Sequence, residues 1–320
     1  MQSKEDAIKA QGQYVLRNTN LGFLEDRYEG KVRDTYRGKK LRYLITTDRI
    51  SCFDVVLGAV PFKGQVLNQL AEFWFDKTAN LVENHVVACP DPNVMAVREV
   101  EILPIEVVVR AYLAGSAWRD YEAGRPISGI TLPKGMRKHQ RLEQVVVTPS
   151  TKAERGLHDE PISESALLER ELVSPEIWEE VKEKALKLFS FATEEVASRG
   201  LLLVDTKYEF GLLDGKVVLA DEIHTLDSSR YWVEDSYSER FHSGQDPQML
   251  DKEPVRQWLI ARGFMGQGEP PALPEEYISE LSLHYMSAFE KISGQSFLPI
   301  VGDSESRIAN NIREFEEAFS

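Results

Sequence analysis

The sequence predicts a mixed α/β chain, rich in strands in its N-terminal part and helical at its C-terminal end. Three features carry that prediction: a strand, glycine turn and strand between about Tyr28 and Asp48, two long apolar strand segments further on, and helical periodicity after about Pro247. In order, YEGKVRDTY and LRYLITTD flank the turn Gly38-Lys39-Lys40. A helix is expected from about Val66 to Val82, with Leu67, Leu70, Ala71, Trp74, Leu81 and Val82 on one face and Asn68, Glu72 and Asp76 on the other. The segment VREVEILPIEVVVRAYL reads as one buried strand, Pro104, and a second strand through Val109, with Pro104 a natural crossing point between lobes. Ser174-Pro175 reads as an N-cap followed by proline in the first helical turn. Trp178, Val181, Ala185, Leu188, Ala192 and Val196 continue one face of that helix as far as Gly200. LLLVDTKYEFG, the turn Asp214-Gly215 and KVVLADEI form a hairpin apolar enough to lie centrally in a sheet. Helices follow in LDKEPVRQWLIARG, near Glu275 to Ile292, and in a last segment ending near Phe319, with Gly266 to Pro274 as a short linker.

The 320 residues are 42% apolar and 28% charged, with 14 Phe and 5 Trp, which excludes a disordered chain. A net charge of -14 argues against an electrostatically driven nucleic-acid or anionic-membrane binder. Cys52 and Cys89 lie far apart without CxxC spacing, so a reducing cytoplasm fits better than a disulfide framework. The N-terminal MQSKEDAIKAQGQYV has no signal-like apolar run, and no stretch is long and apolar enough to span a membrane.

No phosphate-loop, HExxH or serine-elbow motif is present. Lys31 and Arg33, two apart after Gly30, would share one face of a strand and lay two cations along a polyphosphate, although an exposed hairpin carries such a pair equally well. Asp205, Lys207 and Glu209 alternate on an otherwise apolar strand, and burying them together demands pairing or a ligand. With Asp221-Glu222 ending the facing strand, the group suits Mg2+ on oxygen ligands beside an anionic substrate. A structural ion-pair ladder is the competing explanation. Arg110, leaving a buried strand toward Gly115-Ser116, suits a phosphate monoester or sits as a surface arginine before a turn; Asp227-Ser228-Ser229-Arg230 supplies a second guanidinium.

These segments also resemble the signature stretches of the phosphoribosylaminoimidazole-succinocarboxamide synthase (SAICAR synthetase) family. The resemblance runs through GKVRDTY, TDRISCFD, KGQVLNQL, ILPIEVVVRAYLAGS, TPSTKAERGLHDEPIS, LLVDTKYEFG, DEIHTLDSSRYW and LDKEPVRQWL, in the family's longer form. Cys52 stands where the family commonly has Ala, and Leu226 where it commonly has Pro. The resemblance implies an ATP-grasp-like fold: a β-rich nucleotide-binding lobe over 1–103, and an α/β substrate- and metal-binding lobe with C-terminal helices over 104–320, with ATP between them. It implies ATP- and Mg2+-dependent joining of 5-amino-4-carboxyimidazole ribonucleotide (CAIR) to L-aspartate through an acyl phosphate, in purine synthesis in the cytoplasm. Its expected partners are those small molecules, with no nucleic acid or membrane.

Carried over by position, the resemblance makes Lys31 and Arg33 ATP phosphate contacts, and Glu209 and Asp221 metal ligands beside ATP. Arg110, Ser116 and Arg230 become the CAIR phosphate pocket, Lys207 with Asp205 the catalytic pair at the CAIR carboxylate, and Asp48, Ser51 and Asp54 neighbours of nucleotide and imidazole. Lys152, His158 and Asp159 are substrate-proximal. A different ATP-dependent ligase, a small-molecule kinase and a catalytically silent nucleotide-binding protein are the alternatives. Strand parity adds one geometric expectation. A two-residue loop at Asp214-Gly215 sets Glu209 opposite Ala220 and turns Asp221 to the other face. A shared metal therefore calls for an odd-length loop or a bulge, with Gly215 at positive φ and the carboxylates within about 6 Å.

Overall fold

The computed structural model describes residues 3–152 and 159–319. In chain order the first elements are α1 (Lys4–Gln11), β1 (Glu25–Glu29), β2 (Arg33–Arg37), β3 (Arg42–Thr46), β4 (Arg49–Cys52), β5 (Val55–Ala59), α2 (Lys63–Thr78), β6 (Val86–Asp91) and β7 (Val94–Val97). Then come β8 (Glu101–Tyr112), α3 (Gly115–Glu122), β9 (Arg141–Thr151), α4 (Glu164–Glu169), α5 (Pro175–Ala197), β10 (Leu201–Leu213), β11 (Lys216–Ala220) and β12 (Ser229–Val233). The chain ends in α6 (Glu234–His242), α7 (Glu253–Ile260), α8 (Glu275–Ser293) and α9 (Ser304–Phe319). Two compact units emerge: Met1–Asp76, Val86–Glu99 and Asp251–Ser320 form the first, Lys77–His85 and Val100–Leu250 the second. They cut the chain differently from a single division at 103/104, because the C-terminal helices group with the N-terminal strands.

The first unit holds a sheet in the order β1-β2-β3-β7-β6 and the separate hairpin β4-β5. Tyr36, Tyr43, Ile45, Val94 and Ala96 form one buried cluster with Leu16, Leu21 and Leu41. Ile308 and Ile312, four apart on α9, close it, so an amphipathic helix covers a half-apolar sheet. One expected strand start is corrected here. Gly30 to Val32 form the turn between β1 and β2, with the Gly30 N–H donating to the Arg33 carbonyl at 2.8 Å. The side chain of Arg49 holds this turn, donating to the Gly30 and Lys31 carbonyls at 2.9 and 3.2 Å. Lys31 therefore sits in a turn and does not share a strand face with Arg33.

The second unit is built on the sheet β11-β10-β8-β9, with β12 also pairing with β10. Helix α5 packs on β10, β8 and β11 through Trp178, Val181, Ala185, Leu188, Phe189, Ala192 and Val196. It starts as expected: Ser174 Oγ accepts from the Ile177 N–H at 3.3 Å and proline occupies the first turn. β8 runs unbroken through Pro104, which lies where its pairing with β10 shifts register between Glu209 and Gly211. The irregularity absorbs the missing N–H. At the other end of β10 the hairpin is regular, Leu213 facing Lys216 and Glu209 facing Ala220. Asp214 and Gly215 have φ of 51° and 78°, the two positive values of a type I′ turn. The expected odd-length loop or bulge is therefore wrong, although Gly215 does take positive φ.

Candidate active site

The site grows from the pairing of β10 with β8. Asp205 faces Arg110, Lys207 faces Val108 and Glu209 faces Glu106. On the far side of β8, Arg110, Val108 and Glu106 face Val146, Thr148 and Ser150 of β9. Alternation puts these residues on one face, while Thr206, Tyr208 and Phe210 are fully buried on the other. Charges are thus concentrated on one side of an apolar sheet, where each must find a partner.

At one end of that face two arginines share one carboxylate. Arg230 Nη1 lies 3.0 and 2.8 Å from the two oxygens of Asp205, and Arg110 Nη1 lies 3.3 Å from Asp205 Oδ2. Arg110 also donates from Nε to Thr148 Oγ1 at 2.9 Å and from Nη2 to Ser116 Oγ at 3.2 Å. Ser116 lies in the first turn of α3, whose N-cap Ala114 offers no side-chain acceptor, so that turn's N–H groups are available to an anion. Gly115 makes the crowding possible. Its φ is 56°, and a Cβ there would lie 2.4 to 2.7 Å from the guanidinium of Arg230. Arg110, Ser116 and Arg230 are therefore brought together, and Asp205 is their brace. Two cations against one anion leave a net positive charge at a helix start.

Along the same face lies a lysine among carboxylates. Lys207 Nζ donates to Glu106 at 2.6 Å and to Glu209 Oε1 at 3.1 Å, and Lys152 pairs with Glu209 Oε2. Burial pushes the Glu106 carboxyl up to about 7 against the pull of Lys207, and the Glu209 charge adds to the rise. Burial pushes Glu209 the same way, but the ammonium groups of Lys207 and Lys152 outweigh it and hold Glu209 well below the usual carboxylate range. Lys207 is held above the usual lysine range, because Glu209, Glu106 and Asp221 together overcome its desolvation. Sequence reasoning left Glu106 without a role. Its spacing of four from Arg110 on a strand was the available signal.

The position of Asp221 does not follow from the hairpin. β11 ends at Ala220, and Asp221 follows with φ of 65°, so strand parity no longer governs where its side chain points. Its charge acts on Lys207. The next turn is intact with Leu226 in it: the Thr225 hydroxyl accepts from the N–H groups of Asp227 and Ser228, both at 3.2 Å, and Leu226 is buried.

The remaining candidates fall in the first unit or in the loop after β9. Lys31 pairs with Asp54, which lies with Phe53 at the β4-β5 tip, both with positive φ. Asp48 is 3% exposed, and its oxygens accept from the N–H groups of Leu16 and Gly64, each at 2.9 Å, so it braces the fold and presents no free carboxylate. Burial pushes it up to about 6 despite those bonds. Ser51 is half-buried on β4, beside the buried Cys52. Of the substrate-proximal loop, Lys152 meets Glu209 and the charge of Asp159 bears on Glu106, whereas His158 lies outside the described residues.

Paired guanidiniums at a helix start, with a lysine among carboxylates on the same sheet face, suit an enzyme that works on a phosphorylated anionic small molecule. The comparisons with known proteins make this specific. The SAICAR synthetase family profile matches residues 26–271. The phosphoribosylaminoimidazole-succinocarboxamide synthase of Bacteroides thetaiotaomicron is 46% identical over 293 residues, covering 90% of this chain and 92% of that one. That of Legionella pneumophila is 45% identical over 311 residues, covering 94% and 99%. Among solved structures, a SAICAR-synthase from Saccharomyces cerevisiae complexed with SAICAR superposes with a TM-score of 0.77 at 30% identity, over 88% of this chain and 99% of that one. The chain belongs to the SAICAR synthetase family. It is an ATP-dependent carbon-nitrogen ligase that joins CAIR to L-aspartate in purine biosynthesis.

Proposed function

We propose that the sheet face of β8 and β10 binds CAIR lengthwise, with its phosphate at Arg110, Ser116 and Arg230 and its carboxylate at Lys207. The observation that carries this is the bridging of Arg110 and Arg230 by Asp205 beside the first turn of α3. A phosphate monoester needs several donors converging from fixed positions, and one shared carboxylate fixes both guanidiniums at once. The yeast relative complexed with SAICAR, the product of this reaction, supports a site that holds a ribonucleotide.

A carboxylate oxygen is a very poor leaving group, so the CAIR carboxylate must be activated before an amine can displace it. In this reading a CAIR carboxylate oxygen attacks the γ-phosphorus of ATP, ADP leaves, and the aspartate amine then displaces phosphate from the acyl phosphate. Positioning and neutralisation of charge are what the chain must supply. Lys207 orients the CAIR carboxylate, and Asp205 acts as a positioning residue for the two arginines rather than at the reacting carbonyl. Lys31 and Arg33 are assigned to the ATP phosphates on their motif.

The donors fit Mg2+. Glu209 and Asp221 supply hard carboxylate oxygens, and among the described residues no three His, Cys, Asp or Glu side chains form an all-protein cage. Mg2+ is commonly held by one or two carboxylates, with phosphate oxygens completing its shell. When bound, Mg2+ would neutralise charge on the transferred phosphoryl group. Two unpaired cysteines suit the cytoplasm, and no described helix is long and apolar enough to cross a membrane.

Omitting one substrate at a time tests the reading. Steady-state ADP release is expected only with CAIR and L-aspartate both present. Sustained release with either missing would turn the assignment toward a kinase or another ligase.

A further inference from the structure

Glu209 carries two cations on its two oxygens, and they are not held alike. Lys207, on Oε1, is also tied to Glu106 at 2.6 Å. Lys152, on Oε2, has Glu209 as its ion-pair partner, and its side chain is 36% exposed where that of Glu209 is 8%. The main chain of Lys152 is anchored, its N–H donating to the Pro104 carbonyl at 3.0 Å, so the side chain can leave Glu209 without moving the strand end. A buried carboxylate must be neutralised at all times. A divalent ion bound to Oε2 would bring its own positive charge against the ammonium already there, so the two compete for that oxygen.

We propose that Lys152 is a built-in counter-ion of Glu209, occupying Oε2 in the metal-free enzyme and exchanged for the divalent cation when the metal binds. The proposal rests on the assignment of Glu209 as a metal ligand. Exchange of one cation for another keeps Glu209 neutralised throughout, and Lys152 is the one that yields because, among the described residues, it lacks the second carboxylate that holds Lys207. Lys207 stays with Glu106 and keeps its place for the CAIR carboxylate. The released ammonium then stands beside the metal, able to pair with an anionic substrate.

Binding of Mn2+, followed by loss of the free-ion electron paramagnetic resonance signal, tests this on the full chain without reference to turnover. Lys152→Gln removes the competing cation and should bind Mn2+ about three- to fivefold more tightly than the parent enzyme, the upper end for one partly exposed ion pair. Lys152→Arg keeps the charge and should stay within about twofold of the parent. Glu209→Gln should lose the site. A misfolded variant cannot produce tightening. If Lys152→Gln binds Mn2+ equally or less well while Glu209→Gln abolishes binding, the counter-ion role is overturned and the metal assignment stands. If Glu209→Gln leaves Mn2+ binding unchanged, the metal assignment falls and takes this proposal with it.

Discussion

Arg110 and Arg230 come from different strands on opposite sides of β10, yet both donate to Asp205, Arg230 at 2.8 Å and Arg110 at 3.3 Å from the same oxygen. Like charges are thus held side by side by one buried anion. Burial pushes the guanidinium pKa of Arg110 down, with the Asp205 charge opposing and the Arg230 charge adding to the fall. A dianionic phosphate is the natural relief for such a pair.

Arg110→Ala should therefore raise the KM for CAIR and leave that for ATP nearly unchanged. One charge-assisted hydrogen bond is worth about 1.5 to 3 kcal/mol, so a loss of roughly ten- to over a hundredfold in kcat/KM for CAIR is expected from steady-state kinetics. Equal effects on both substrates would reject the phosphate assignment.

Gly115→Ala should reproduce part of that effect without removing an ionisable group. The added methyl meets the guanidinium of Arg230, and the backbone at φ 56° disfavours any side chain by about 1 to 2 kcal/mol. The expected result is a raised KM for CAIR together with a lower unfolding midpoint. An unchanged KM alongside the stability loss would show that Arg230 moves aside at no cost to binding.

How much of this was legible in the sequence depends on how local the cause is. The alternation of Asp205, Lys207 and Glu209 and the cap at Ser174 are set by residues adjacent in the chain, and the structure forms both as expected, as it does the hairpin at Asp214-Gly215, though with a plain two-residue turn. The turn at Gly30 to Val32 is held by Arg49, 19 residues beyond Gly30 and unmarked by any period. Strand parity does not reach Asp221, because β11 stops one residue earlier and Asp221 takes positive φ. Glu106 had only its spacing from Arg110 to mark it until the register set it opposite Glu209, and Asp48 became visible only through the burial of a carboxylate that the motif would place in a ligand site.

Asp48 leads to a prediction about stability and pH. Its carboxyl is raised from 3.8 to about 6 in the folded chain, so between about pH 4 and 6 the native state binds more protons at this position than the unfolded chain does. Stability contributed by this group is present at the acid end of that window and is lost as pH rises through it. Asp48→Asn cannot titrate. The unfolding free energy of the parent minus that of the variant should accordingly fall by about 1 to 3 kcal/mol between pH 4 and pH 7, measured by urea unfolding at each pH. A constant or rising difference would mean that the amide hydrogen bonds from Leu16 and Gly64 dominate over burial.

The activation step has its own signature in the atoms. If a CAIR carboxylate oxygen attacks the γ-phosphorus, that oxygen bridges carbon and phosphorus in the acyl phosphate. When the aspartate amine adds to the carbonyl, the carbon-oxygen bond breaks and the oxygen departs with phosphate, while the second carboxylate oxygen remains in the amide. With both carboxylate oxygens of CAIR labelled as 18O, each turnover should place one label in phosphate and leave one in the product, as read by mass spectrometry of both. Direct attack of the amine, with ATP hydrolysed separately by water, would put solvent oxygen into phosphate and no label from CAIR. Unlabelled phosphate would remove phosphoryl transfer from the mechanism and leave Lys207 orienting a carboxylate that is never phosphorylated.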